Sequence, residues 1–444
     1  MASLHVKSIS PSTRGFEAKS SISPILALSP TRNGSKKTVS TGSLGNNLPN
    51  NSFKQAQYNG YDFSNKNLEG SEFINSNFAN ANFNRANLRT TYFNNTSLDR
   101  ANFDSAILAN TRLAELKLTK VSFTLTSLIQ AQVWQVMFTK CNFTSATLTN
   151  TIFKDCTFIE CTFDKIDANK VVFTTSVFDH CTFTNANLDT ADFTNNDITS
   201  CTFNEAILSN AKLDNITFSG TTMAPVSFND AILSKASFSR TDVNDISFVG
   251  ANLNRINLKG QNASKADFTN ATFKYANLIG TNFSEANLGN VNFKGAKLNK
   301  TNFTSVTLSN ISLQGRELEG VIFTNAQLNS INLRSTRLTK VNFNRARLKD
   351  VSLSNAQLTD CSFISAICTK VSLRRAIIIR TSFKLAELSN VNLSNSNLTS
   401  VNFSNVMFDN VFFHNVGFIK CTFSMTEEEL TEAGFTSDQI DAIV

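Results

Sequence analysis

Eight cysteines and three histidines in 444 residues are where chemistry would have to begin. A zinc site needs thiolates or imidazoles converging from different segments. His5, His180 and His414 are scattered, and no paired cysteine spacing faces them. No nucleophile, base and orienting acid occur at a recognisable spacing, and no inserted loop could assemble an oxyanion site. The chain is therefore read as non-enzymatic, with no catalytic, metal or cofactor residues.

The cysteines carry a different message. Cys141, Cys156, Cys161, Cys181, Cys201, Cys361 and Cys421 fall at one phase of a five-residue rhythm, and Cys368 at another. They read as buried free thiols filling space as small hydrophobes, which favours a reducing compartment.

Charge offers two further candidates and outward apolar residues a third. Between Asn332 and Lys384 eleven basic residues face only Asp350 and Asp360, a local excess of 11 − 2 = +9 against +7 for the whole chain. Arg334, Arg337, Arg345, Arg347, Arg374, Arg375 and Arg380 are its arginines, a field able to draw in an anionic surface. Aromatic residues interleaved for base stacking are missing there, so no specific nucleic acid is expected. Leu125, Ile129, Trp134 and Met137 are large apolar residues at positions that should face water, and read as a partner-binding patch. Glu427, Glu428, Glu429 and Glu432 form an acidic cluster close to the C-terminus.

The element that must position all of these is one repeat. From Phe63 to Phe423 a large apolar residue returns every fifth position without insertion or deletion. The residue two before each is small or β-branched, with Leu116, Asn196, Gln261 and Arg316 as the exceptions from Ser71 onward. Five fits neither a helix face nor a plain strand, but it fits a repeated supersecondary unit. Residues two apart on a short extended piece point the same way, so both positions face inward. Phe dominates every fourth centre (Phe63, Phe83, Phe103 and onward), and a bias at a lag of 20 residues implies four sides per coil. Strand spacing then gives some 18 coils, roughly 90 Å in all. Where Met223, Val243 and Ala263 interrupt the Phe column, the next side gains Phe228, Phe248 and Phe268, as a core at crystal density requires.

Units such as Ala81-Asn82-Phe83, Ala86-Asn87-Leu88 and Ala276-Asn277-Leu278 resemble the A-[DN]-[LF]-x-x motif of pentapeptide-repeat proteins. The resemblance covers most of the chain and implies that family's all-β fold, a right-handed quadrilateral parallel β-helix. It implies no single function. Some members resemble DNA and protect gyrase through negative charge. This chain is positive, so a topoisomerase-protecting role is disfavoured.

The flanks are different. Residues 1–50 are rich in Ser, Thr and Pro, read as a disordered leader resembling a transit peptide or a secretion leader. Residues 51–423 hold the repeat, beginning with a frayed first coil around Tyr58. Residues 424–444 read as an acidic helical cap: Thr426 with Glu429 makes a capping box, and Leu430, Phe435, Ile440 and Ile443 cover the last coil. Arg316 and the Gly260-Gln261 pair should distort the coil locally. The functional expectation is an interaction scaffold, a bacterial effector secreted into a host cell, its acidic tail resembling an export signal. It would bind a host protein or a membrane surface, with no small-molecule substrate. A plastid-targeted structural protein is the alternative.

Overall fold

The five-residue rhythm becomes a three-residue strand, or a single β-bridge, followed by a corner. The computed structural model describes residues 45–443; of the leader expected at 1–50, residues 1–44 lie outside the described residues, while Asn47, Leu48 and Asn50 already pair with the next coil. Strands Ser52–Lys54, Glu72–Ile74 and Tyr92–Asn94 pair in parallel, with Phe53, Phe73 and Phe93 in register. The same 20-residue offset holds at Arg347 to Ile367 and at the bridge from Asn82 to Asn102. All paired strands are parallel, in a solenoid of about 19 turns. We number its sides by their centres: side 1 carries Phe63 and Phe83, side 2 Leu68 and Leu88, side 3 Phe53 and Phe73, and side 4 Tyr58 and Phe78.

The first coil is closed rather than frayed. Tyr58 and Phe53 are buried, and coil geometry is in place by Asn47, which bridges Asn67 ahead of the expected boundary.

The interior is built from stacked rings. On side 1, Phe143, Phe163 and Phe183 lie parallel with centroids 4.8 Å apart, the strand spacing itself. The column stops after Phe203 and resumes from Phe283 to Phe303. Between them the rings move to side 2, where Phe228, Phe248 and Phe268 stack at 5.2 and 5.0 Å. Val243 and Ala263 are buried beside them, so lost volume on one wall returns on the next.

A coil turns its corners through left-handed backbone. Non-glycine residues two after each centre take φ between 45° and 61° at nearly every corner. That conformation costs roughly 1–2 kcal/mol for an ordinary L-residue. Regular hydrogen bonding offsets it: the Asn80 amide at one corner donates to Asp99 O at 2.7 Å in the next coil. Asparagine suits these positions, and its side chains bond up the stack, as Asn95 to Asn75 at 2.8 Å and Asn415 to Asn395 at 3.0 Å.

The C-terminal end is covered by two short helices, α1 (Glu427–Glu432) and α2 (Ser437–Asp441). Leu430 and Phe435 are buried, Ile440 and Ile443 pack on the core, and the Phe435 ring lies 4.2 Å from that of Phe413. The expected capping box is present: Glu429 N donates to Thr426 Oγ1, and Thr426 N to the Glu429 carboxylate at 2.7 Å.

Candidate functional site

Corner type explains the cysteines. At a tight corner the amide three residues after the centre donates back to it, as Ala81 N to Phe78 O at 3.0 Å. After a three-residue strand the corner is wider, and there the following inward residue is Ser, Thr, Cys, Val, Ile or Leu, with Ala56 the one alanine among the described residues. All seven small-position cysteines follow such a strand. Several donate to a centre carbonyl one coil back, Cys141 Sγ to Leu118 O at 3.3 Å and Cys161 Sγ to Phe138 O at 3.5 Å, where Thr96 Oγ1 elsewhere donates to Phe73 O at 3.0 Å. Sequence reasoning placed these thiols inside but missed this role. The signal was there: alanine avoids wide corners.

All eight cysteines are free and buried. Hydrogen bonding with Cys161, together with burial, holds the Cys141 and Cys181 thiols above the usual range. Burial alone pushes Cys368 up to about 12. Among the described residues no three His, Cys, Asp or Glu side chains come together as metal ligands would.

The apolar candidates are spread round one coil instead of forming a patch. Leu125 is 62% exposed at the corner after side 1, Ile129 lies on side 2, Trp134 on side 3 and Met137 on side 4. Trp134 is half-buried, and its register places it beside Ala114, which is buried despite its outward position. Met137 borders a groove of about 380 Å³ with Leu116 and Val136, where leucine replaces a smaller inward residue.

The basic stretch divides more sharply. Arg380 makes a bidentate pair with Asp360, Nε to Oδ1 at 2.7 Å and Nη2 to Oδ2 at 3.1 Å, and this hydrogen bonding holds the Asp360 carboxyl below its usual range. Arg337 Nη1 meets Glu317 Oε1 at 2.7 Å. The pairs lie on side 4 and its corner with side 1. Arg345 and Arg347 border side 2, and Arg334, Arg374 and Arg375 border side 3; none of these has an ion pair among the described residues. Two adjacent sides therefore carry the unpaired guanidinium groups, although Asp350 and Glu387 also face outward near them.

The repeat geometry now stands beside its sequence signature. Models of the pentapeptide repeat region match residues 136–212, 251–323 and 290–359, and models of the eight-copy pentapeptide repeat match 59–89, 86–124, 342–378, 356–395 and 386–424. The chain belongs to the pentapeptide-repeat family. Solved structures of other pentapeptide-repeat proteins match parts of the chain. HetL, involved in heterocyst differentiation regulation in the cyanobacterium Nostoc sp. strain PCC 7120, is 22% identical over 56% of this chain and 88% of its own, with a TM-score of 0.21. QnrB1, a plasmid-mediated fluoroquinolone resistance protein, is 19% identical over 47% of this chain and 88% of its own, at 0.25. A thylakoid-lumen protein of Arabidopsis thaliana is 27% identical over 28% of this chain and 68% of its own, at 0.14. No curated protein compared with the chain matches it. The family assignment rests on the repeat models and the coil geometry.

One break in this pentapeptide-repeat ladder stands out. Arg316 occupies a small inward position, half-buried, with Nη1 donating to Phe293 O at 3.3 Å. Around it the ladder opens. One coil earlier Phe273 N donates to Asn292 O at 2.8 Å, but among the described residues the amides of Phe293, Gly295 and Leu298 have no such bond to the coil above. Side 1 holds the two coils together through Phe283 N to Asn302 O at 2.8 Å, and regular pairing returns at Leu313 N to Asn332 O at 2.8 Å. The expected distortion at Arg316 is thus a wedge hinged on side 1. At Gly260-Gln261 pairing persists, with Gly260 N to Ile279 O at 2.9 Å and Asn282 N to Gln261 O at 3.0 Å.

Proposed function

We propose that this chain is a non-enzymatic interaction scaffold that meets an acidic protein surface through sides 2 and 3 between Arg334 and Arg375. One observation carries the reading. The arginines on side 4 are neutralised by Glu317 and Asp360, while Arg345, Arg347, Arg374 and Arg375 keep their charge outward on adjacent sides. A stiff, filled solenoid holds such groups at fixed spacing, so binding them costs little ordering entropy.

Export into a host cell is the finer part of this proposal and rests on the acidic tail. Glu427, Glu428 and Glu429 also occupy the first turn of α1, where its N-terminus favours negative charge, and Glu429 closes the capping box. The cap alone accounts for them. A plastid location would rest on residues 1–44.

Retention on immobilised polyglutamate tests the scaffold reading. Arg345, Arg347, Arg374 and Arg375 changed together to Gln should abolish retention at 0.15 M salt, whereas Arg337→Gln with Arg380→Gln should preserve it. Equal retention of both variants would overturn it. Retention of the wild type by phosphatidylserine vesicles but not by polyglutamate would replace the acidic protein with a membrane.

A further inference from the structure

We propose that the wedge between the coil of Phe293 and the coil of Leu313 is a binding site for a small oxyanion of the phosphate or carboxylate class, with Arg316 as its principal ligand. The proposal goes beyond the scaffold reading, since the wedge lies outside the basic stretch and none of its residues belongs to it.

The argument begins with what a parallel solenoid does to its amides. Each coil directs backbone N–H groups at the coil above, and in a closed ladder every one is taken. Here the amides of Phe293 and Gly295, which border the opening, have no backbone acceptor among the described residues, and neither does that of Leu298 on the next side. The opening is a groove of about 600 Å³ bordered by Asn292, Lys294, Ser312 and Gln314, with Arg316 in its wall. Phe293 is buried while Gly295 is exposed, and a buried donor without an acceptor is an energetic deficit that a ligand rich in acceptors removes.

The second observation is the guanidinium. Arg316 has five N–H donors, and among the described residues the one hydrogen bond its guanidinium makes is to a neutral carbonyl, Phe293 O. No carboxylate pairs with it among the described residues. Glu317, its neighbour in sequence, is committed to Arg337. Desolvation without a partner lowers the affinity of Arg316 for its proton, as expected for a cation that lacks a counter-charge. A planar fork beside convergent amides and a second cation, Lys294, is the donor set that oxyanions take. The remaining polar lining offers further donors from Asn292, Ser312 and Gln314.

The wedge also shows why the donors stay open. An inward residue as long as Arg keeps the coils from closing, whereas at Ala296 and Thr336, the inward residues one coil either side of Arg316, the far rungs are tight, Lys297 N to Ala276 O and Gln357 N to Thr336 O both at 2.8 Å. A Gly at 295, with φ of 73° and the Tyr275 ring close against it, leaves no side chain to fill the gap from below.

The test uses the full chain and two probes, inorganic phosphate and acetate, followed by the backbone amide resonances of Phe293 and Gly295 and by the Nε–H of Arg316. Saturable shifts at these positions are expected with at least one probe, and the responding probe distinguishes phosphate from carboxylate. Arg316→Gln, which can still donate to Phe293 O, should weaken binding at least tenfold. Lys294→Gln should weaken it less, and Arg345→Gln with Arg374→Gln should leave it unchanged. Absence of saturable shifts with both probes would overturn the proposal. So would an Arg316→Gln variant that binds as the wild type does.

Discussion

Arg316 reaches the carbonyl of Phe293, one coil below, and in doing so stands where nearly every other coil keeps a small side chain. Asn196 does the same work without harm: its Nδ2 donates to Phe173 O at 2.8 Å, and its Oδ1 accepts from Ser176 N at 2.8 Å, so the ladder stays shut. The difference is length and charge. An amide fits the gap left by one missing inward methyl group, whereas a guanidinium needs room and resists full burial.

Replacing Arg316 with Val should therefore close the wedge. We expect the variant to be more stable than the wild type by about 1–2 kcal/mol, since a half-buried cation without a counter-charge is exchanged for packing. Hydrogen exchange at Phe293, Gly295 and Leu298 should slow together. Unchanged exchange at those amides would show that something other than Arg316 holds the coils apart.

Volume compensation between side 1 and side 2 makes a second prediction. Phe248→Leu alone should leave a void and cost about 1–2 kcal/mol, and Val243→Phe alone should overpack the same coil by about 1–3 kcal/mol. The double variant should recover most of that loss, because the ring has only changed walls. A double-mutant cycle in denaturant measures the coupling. Additive losses would mean that the two walls are packed independently.

Much of this architecture was legible because the repeat carries its own register. Phe63 and Phe83 sit at the same phase 20 residues apart, and that interval alone implies four sides. The displaced ring at Phe248 was readable for the same reason, since volume must be conserved within a coil. What escaped was whatever depends on where outward side chains meet. The four apolar candidates share a coil in sequence but are spread round it, Leu125 and Ile129 bordering side 2, Trp134 on side 3 and Met137 on side 4, so Leu125 and Trp134 cannot form one patch. The pairing of Arg380 with Asp360 needs the corner geometry that stacks position 360 under 380. Gln439 closes the capping box of α2, accepting from Thr436 N at 3.0 Å. Its second role depends on the end of the solenoid lying beneath it.

The thiols should be silent. With burial raising Cys156 and Cys368 to about 12 and Cys361 to about 11, these three thiols stay protonated at pH 8 in the native state. A disulfide-exchange reagent should label none of the eight cysteines until denaturant is added, and all of them afterwards. The sign of the pH dependence follows. A folded-state pKa above the ordinary thiol value of 9.0 favours the protonated form, so the stability it carries is present below about pH 9 and is lost as pH rises toward 12. Rapid labelling in the native state would place these side chains outside the core.

The cap offers the most discriminating experiment, because one residue separates its structural role from any role of its charges. Gln439 Nε2 donates to Phe413 O at 2.9 Å and to Val416 O at 3.3 Å, satisfying last-coil carbonyls that have no coil above to supply amides. Gln439→Ala leaves Val416 O buried and unpaired and Phe413 O with its corner bond from Val416 N at 3.3 Å alone, which should cost about 1–3 kcal/mol at that end, read as faster exchange from Phe413 to Phe423. In a repeat protein such a loss frays the terminal coil before it reaches distant ones, so amides around Phe143 should keep their protection. Replacing Glu427, Glu428 and Glu432 with Gln preserves Thr426 and Glu429, and with them the capping box. If the acidic cluster is an export signal, this second variant loses delivery while its terminal coil stays closed, and Gln439→Ala does the reverse. Delivery that follows coil closure instead of charge would assign the tail wholly to the lid.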